Sequence, residues 1–138
     1  MEKKIIVLLA HGSPEKHAKN CLVSLCKKLL PYFEKDNVVL SYAFLQFNKP
    51  NLEECLFRIL NNKRDYKKCS VIVLPVFLSQ GRHTLYDVPK ILKNIKRFYK
   101  GMNIKLALPL GPDDLLVKLL YKRYKMTVAS GHKQRKCR

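Results

Sequence analysis

Two of the four histidines in this chain fall where strand-like runs end. His11 closes IIVLLA and is followed by Gly12 and Ser13; His83 sits in SQGRHT, just past VIVLPVFL, where Gly81 permits a turn and Arg82 adds a donor. An imidazole at the end of a buried strand is held firmly yet can reach a ligand. In its neutral form it binds a metal or takes a proton near pH 7. A lone histidine in such a place is as simply explained by a hydrogen bond to local backbone, but two at one edge of a sheet point to a site. Two imidazoles do not close a structural zinc site, which takes four ligands; they suit an open one whose metal exchanges.

Other chemistries lack their signatures. Ser13 is not in a G-x-S-x-G elbow, so it reads as a helix N-cap or a hydrogen-bond partner for a ligand rather than a nucleophile. Neither G-x-G-x-x-G nor G-x-x-x-x-G-K-[ST] occurs, which leaves dinucleotide and P-loop sites without support. The five cysteines are odd in number and contain no C-x-x-C pair, so reduced, mostly buried thiols are expected instead of a disulfide framework or a structural zinc site. His17 and His132 read as solvated helix and tail residues.

The elements that must position these residues alternate. Near-continuous apolar runs, KIIVLLA (4–10), VVLSYAFL (38–45), SVIVLPVFL (70–78) and NIKLAL (103–108), suit strands of a parallel sheet covered on both faces. Pro75 cannot donate to a ladder, so the third run must bend or bulge there to continue as a strand. Between the runs, Leu22, Leu25 and Leu29 share one helical face. Asn51 and Glu54 form a capping box ahead of Leu56, Ile59 and Leu60. Asp87 and Pro89 open a third helix carrying Ile91, Leu92 and Ile95. Gly111, Pro112, Asp113 and Asp114 open a fourth. A β-α order repeated four times in 138 residues predicts one doubly wound α/β domain, a four-stranded parallel sheet with helices on both faces. Ligands of such sheets bind beyond the carboxyl ends of the strands. Those ends carry His11 to Ser13, Gln46, Ser79 to His83, and Pro109 to Gly111.

Charge is the unusual feature, with 28 Lys and Arg against 10 Asp and Glu, a net +18. Four of those basic residues lie in the last thirteen, so the rest of the chain keeps +14. Residues 1–125 are expected to form the domain and 126–138 a basic tail with no fold of its own. A potential of this sign draws anions, whether small acids or nucleic acid. Most of the lysines on the third and fourth helices read as solvated faces, and there is no RRM signature or zinc finger; nucleic acid is not the expected partner, although clustered charge alone supports nonspecific phosphate binding. The chain shows neither a run of 18 apolar residues nor a signal-peptide pattern, so a cytoplasmic protein with no membrane partner is expected.

Four segments, LLAHGS (8–13), AFLQFNKPNLEECL (43–56), VIVLPVFLSQGRHTLYDVPKIL (71–92) and LALPLGPDDLLVKLL (106–120), together resemble the small CbiX-type chelatases. These lyases insert a divalent metal into sirohydrochlorin in siroheme and cobalamin biosynthesis. The resemblance runs over about residues 4–121 and implies a chelatase-like domain. It implies metal-binding and catalytic roles for His11 and His83, with Co2+ or Fe2+ as metal substrate and no permanently bound cofactor. It also implies a homodimer, since longer relatives hold two such halves in one chain. Ser13, Gln46, Ser79, Gly81 and Arg82 are then the candidates for holding the tetrapyrrole, with the Arg82 guanidinium as a carboxylate clamp. Gln46 stands where many members have an acid, and an amide cannot carry a proton away. The competing expectation is a noncatalytic carrier of metal or tetrapyrrole, or a protein that uses its charge on nucleic acid.

Overall fold

Ile5 to Leu9 are five consecutive apolar residues and all five are buried, because their strand lies inside the sheet with cover on both sides. The computed structural model describes residues 2–61, 65–79, 81–82 and 86–130. Its strands are β1 (Lys3–Ala10), β2 (Val38–Phe44), β3 (Cys69–Pro75) and β4 (Asn103–Leu106). All pair in parallel in the order β2-β1-β3-β4, with Lys4 opposite Val38, Lys3 opposite Cys69 and Ser70 opposite Asn103. The helices are α1 (His17–Leu29), α2 (Leu52–Asn61), α3 (Val88–Phe98) and α4 (Asp114–Ala129). The chain steps from β1 outward to β2, then crosses back over β1 to β3. The direction of winding therefore reverses between β1 and β3, and the crevice beyond their carboxyl ends is the place where such sheets bind ligands.

Alternate residues feed two cores. Ile5, Val7, Leu9, Val71, Val73 and Ile104 pack under α2 and α3, whose Leu52, Leu56, Leu60, Leu92 and Ile95 are buried. On the opposite face Leu8 and Phe44 meet Leu22 of α1. Leu25, expected on the same inward face, is 42% exposed. Cys26 and Leu29 take the inward positions on α1 instead.

The local signals act as expected at two helix starts. Asn51 Oδ1 accepts from the Glu54 N–H at 2.8 Å, and Glu54 Oε2 accepts from the Asn51 N–H at 3.1 Å. Lys49 Nζ donates to Glu54 Oε1 at 2.6 Å, and that contact, with the Asn51 N–H, holds the Glu54 carboxyl below its ordinary range. Asp113 Oδ1 accepts from the Leu115 N–H at 2.8 Å and caps α4. Pro75 ends β3 rather than bending it. The next N–H, that of Val76, donates to the Leu9 carbonyl at 2.7 Å as the chain leaves the sheet. Helix α4 continues to Ala129, past the start expected for the tail, because Met126 to Ala129 extend the same helical run; residues 131–138 lie outside those described.

Cys55 and Cys69 are buried free thiols, Cys26 is half-buried and Cys21 exposed, while Cys137 lies outside the described residues. Among the described residues, no helix is long and apolar enough to cross a membrane. Leu22 is the buried anchor of α1. Leu22→Ala is expected to lower the unfolding free energy by about 2–4 kcal/mol, against less than about 1 kcal/mol for Leu25→Ala, measured by urea denaturation.

Candidate functional site

His11 is the first residue beyond β1, and the backbone ladder carries it past the end of the strands. The Leu45 N–H donates to the Ala10 carbonyl at 3.0 Å, and the Gln46 N–H donates to the His11 carbonyl at 2.9 Å. His11 and Gln46 are therefore held side by side by their main chains. Gly12 follows at φ +87°, and a Cβ built there would lie 1.9 Å from the Gln46 carbonyl oxygen. Glycine is required on both counts, conformation and space.

The loop after β2 then folds around the loop after β1. Asn48 donates its N–H to the Gln46 carbonyl at 2.7 Å, across Phe47 at φ +64°. Its side-chain Oδ1 accepts from the Ser13 N–H at 2.8 Å. The Phe44 N–H donates to the Pro50 carbonyl at 3.0 Å and closes the loop. Ser13 Oγ accepts from the Glu15 N–H at 3.2 Å. Ser13 thus caps a turn that precedes α1, and the N-cap position of the helix itself belongs to Lys16. The displacement follows from Pro14, which sets a turn between Ser13 and the helix. Three candidates from the sequence, His11, Ser13 and Gln46, meet here.

From the β3 side, the Phe77 ring lies against the His11 imidazole, with centroids 5.0 Å apart and planes tilted by 43°. That contact restricts the imidazole while His11 remains exposed. The Phe77 and Leu78 carbonyls accept from the Leu110 and Gly111 N–H groups at 3.0 and 2.8 Å, which joins the exits of β3 and β4. Ser79, Gly81 and Arg82 follow on the same exit loop and are exposed. His83 lies outside the described residues. Among the described residues, no group of three or more His, Cys, Asp or Glu gathers around one point.

Beside Gln46 a groove of about 370 Å³ opens between α2 and α3, lined also by Leu45, Glu53, Asp87, Lys90 and Asn94. The sequence treats Glu53 and Glu54 alike, as acids of a first helical turn; the structure separates them. Glu54 closes the capping box, whereas Glu53 turns into the groove that Gln46 shares.

Two residues of this rim escape a reading of the sequence. Phe77 sits in the apolar run VIVLPVFL and looks like strand interior until Pro75 is seen to end β3. Asn48 carries a signal, an Asn two residues before Pro50 in a polar loop, but the N–H it accepts from is 35 residues away. Gly12→Ala is expected to cost more than about 2 kcal/mol of stability in urea denaturation, through positive-φ strain and the displaced 46–48 loop. Gly81→Ala, whose added Cβ meets nothing within 4 Å, should change stability by less than about 0.5 kcal/mol.

This arrangement has relatives. The sirohydrochlorin cobaltochelatase of Sulfurisphaera tokodaii is 29% identical over 125 residues, covering 91% of this chain and 94% of that one. That of Saccharolobus solfataricus is 30% identical over 128 residues, covering 88% and 94%. Among solved structures, a CbiX protein from Marinobacter aquaeolei superposes with a TM-score of 0.73 at 24% identity, over 93% of this chain and 99% of the other. The sirohydrochlorin chelatase SirB from Bacillus subtilis subspecies spizizenii, in complex with cobalt, gives 0.76 at 23% identity, over 90% of this chain and half of that longer one. The CbiX family profile matches residues 5–127, from the first buried strand to the last helix, and the chain belongs to that family.

Proposed function

We propose that this chain is a sirohydrochlorin chelatase, inserting Co2+ or Fe2+ into a carboxylate-rich tetrapyrrole for cobalamin or siroheme biosynthesis. The observation that carries this is the placement of His11. It stands where the winding of the sheet reverses, against Phe77 and beside Gln46, in a chain whose relatives of equal length are named for that reaction.

Insertion exchanges two pyrrole N–H protons for one M2+, so both protons must leave the ring nitrogens as the metal bonds form. His11 and His83 hold the incoming metal loosely, and an imidazole released from the metal takes a pyrrole proton and returns it to water. Gln46, locked beside His11, can donate from its amide or accept at its carbonyl, but it takes no proton. The proton traffic then rests on the histidines. Ser13, Ser79 and Gly81 supply donors along the rim, and Arg82 offers a forked donor for a rim carboxylate. The excess of 28 basic over 10 acidic residues draws and orients such a polyanion. Two copies pair as a homodimer around the macrocycle, in the cytoplasm.

Anaerobic mixing of the protein with sirohydrochlorin and either ion should accelerate the loss of the metal-free absorption bands over a no-enzyme control. His11→Ala and His83→Ala should each lower the rate by at least about 100-fold, whereas Gln46→Ala should lower it less than about tenfold. Tetrapyrrole binding without acceleration by either ion would overturn catalysis and leave a carrier.

A further inference from the structure

Phe47 occupies a backbone conformation that few side chains take. The Asn48 N–H donates to the Gln46 carbonyl at 2.7 Å across it, and its φ is +64°. A hydrogen bond from residue i+2 back to residue i around a positive φ makes the classic γ-turn, the rare and strained form. Glycine would relieve the strain, and the facing loop does use glycine, at Gly12 with φ +87°. At residue 47 the chain keeps a phenyl ring instead. That ring is 71% exposed and belongs to neither core, so burial in the fold does not offset the strain.

The turn is held from both sides. The Gln46 N–H donates to the His11 carbonyl at 2.9 Å, and Asn48 Oδ1 accepts from the Ser13 N–H at 2.8 Å. The residues before and after Phe47 are each tied to the loop that carries His11, and the turn between them cannot relax without breaking one of these bonds. Strained residues fixed by their surroundings in this way gather where ligands are clamped. Across the sheet, in the order β2-β1-β3-β4, His11 stands between two sets of exposed apolar side chains. Phe47 follows β2 on one side. On the other, Leu78 follows β3 and Leu108 and Leu110 follow β4, all three exposed. Strands about 4.8 Å apart put β2 and β4 roughly 14 Å from each other, so a ligand that touches both sides is a broad one.

We propose that Phe47 is a tetrapyrrole-binding residue: its phenyl stacks on one face of the macrocycle at the β2 side of the rim and so sets how the pyrrole nitrogens lie over the His11 imidazole. A conjugated ring offers the phenyl a flat apolar partner, which neither a bare metal ion nor a lone carboxylate does. Because the turn is rigid before the ligand arrives, little backbone order is lost on binding. The inference rests on the tetrapyrrole reading above and adds to it a residue that the polar rim groups do not include.

Phe47→Gly removes the ring and suits the turn. Its urea midpoint should equal or exceed that of the unaltered chain. Its Kd for metal-free sirohydrochlorin, read by titrating the absorption bands of the macrocycle, should rise about tenfold or more. Phe47→Trp should keep the affinity within about threefold, and its indole, in a chain with no other tryptophan, should lose fluorescence on binding. Tyr32→Ala, which removes an exposed aromatic ring before β2 at the amino ends of the strands, should bind as the unaltered chain does. Unchanged affinity in Phe47→Gly, or a Phe47→Trp emission indifferent to the ligand, would overturn the assignment. A lowered urea midpoint in Phe47→Gly would overturn it too, because the ring would then serve the fold. None of these readouts uses metal: binding that depends on Phe47 without any insertion sinks only the chelatase reading, and insertion with binding indifferent to Phe47 sinks only this one.

Discussion

A methyl group on residue 12 would lie 1.9 Å from the carbonyl oxygen of Gln46, and this close approach governs the rest of the site. It lets the β1–β2 ladder run two residues beyond the strands, so that His11 and Gln46 share a hydrogen bond rather than diverging into separate loops. It also brings Ser13 within reach of Asn48. The imidazole is thus fixed through its own backbone before any ligand arrives, and Phe77 restricts the ring from the other strand. Such preorganisation keeps a binding group near its working position and lowers the ordering cost when a ligand binds.

The sheet supplies the frame for that contact. β1 and β3 are central and carry continuous apolar runs, so their ends are the least mobile points at which a functional side chain can be mounted. The reversal of winding between them leaves a crevice that no crossover helix covers. Four loops converge there, joined in two pairs by backbone hydrogen bonds: those after β1 and β2 through Leu45 and Gln46, those after β3 and β4 through Leu110 and Gly111. Helix α4 starts from the last of these, so whatever packs on the helix acts on the rim as well.

Charge shapes what this crevice accepts. The excess of basic residues draws anions over distances near the Debye length, while the short-range selection belongs to the donors of the rim. Glu53 and Asp87 sit in the neighbouring groove with Lys90, so the surroundings of Gln46 are mixed in sign. With an amide in place of an acid beside His11, proton uptake in the proposed reaction falls on imidazole alone.

Element type and order were legible in the sequence because they depend on local chemistry. Apolar runs of strand length, the Asn51–Glu54 box and the Asp113 cap act within a few residues, and the observed helices start where those signals stand. The place of His11, just past the end of the buried strand β1, was legible too, since the apolar run stops there. Residues 83–85 lie outside the described part of the chain, and the pairing of His11 with His83 rests on the sequence alone. What the tertiary structure decided depends on contacts between distant segments. The acceptor that Asn48 offers Ser13, the ring that Phe77 lays against His11, and the parting of Glu53 from Glu54 all require the loops to be brought together first. The exposure of Leu25 and of most of α4 has the same origin. Periodicity shows that a helix has an apolar side, but only the packed sheet shows whether its own chain covers it.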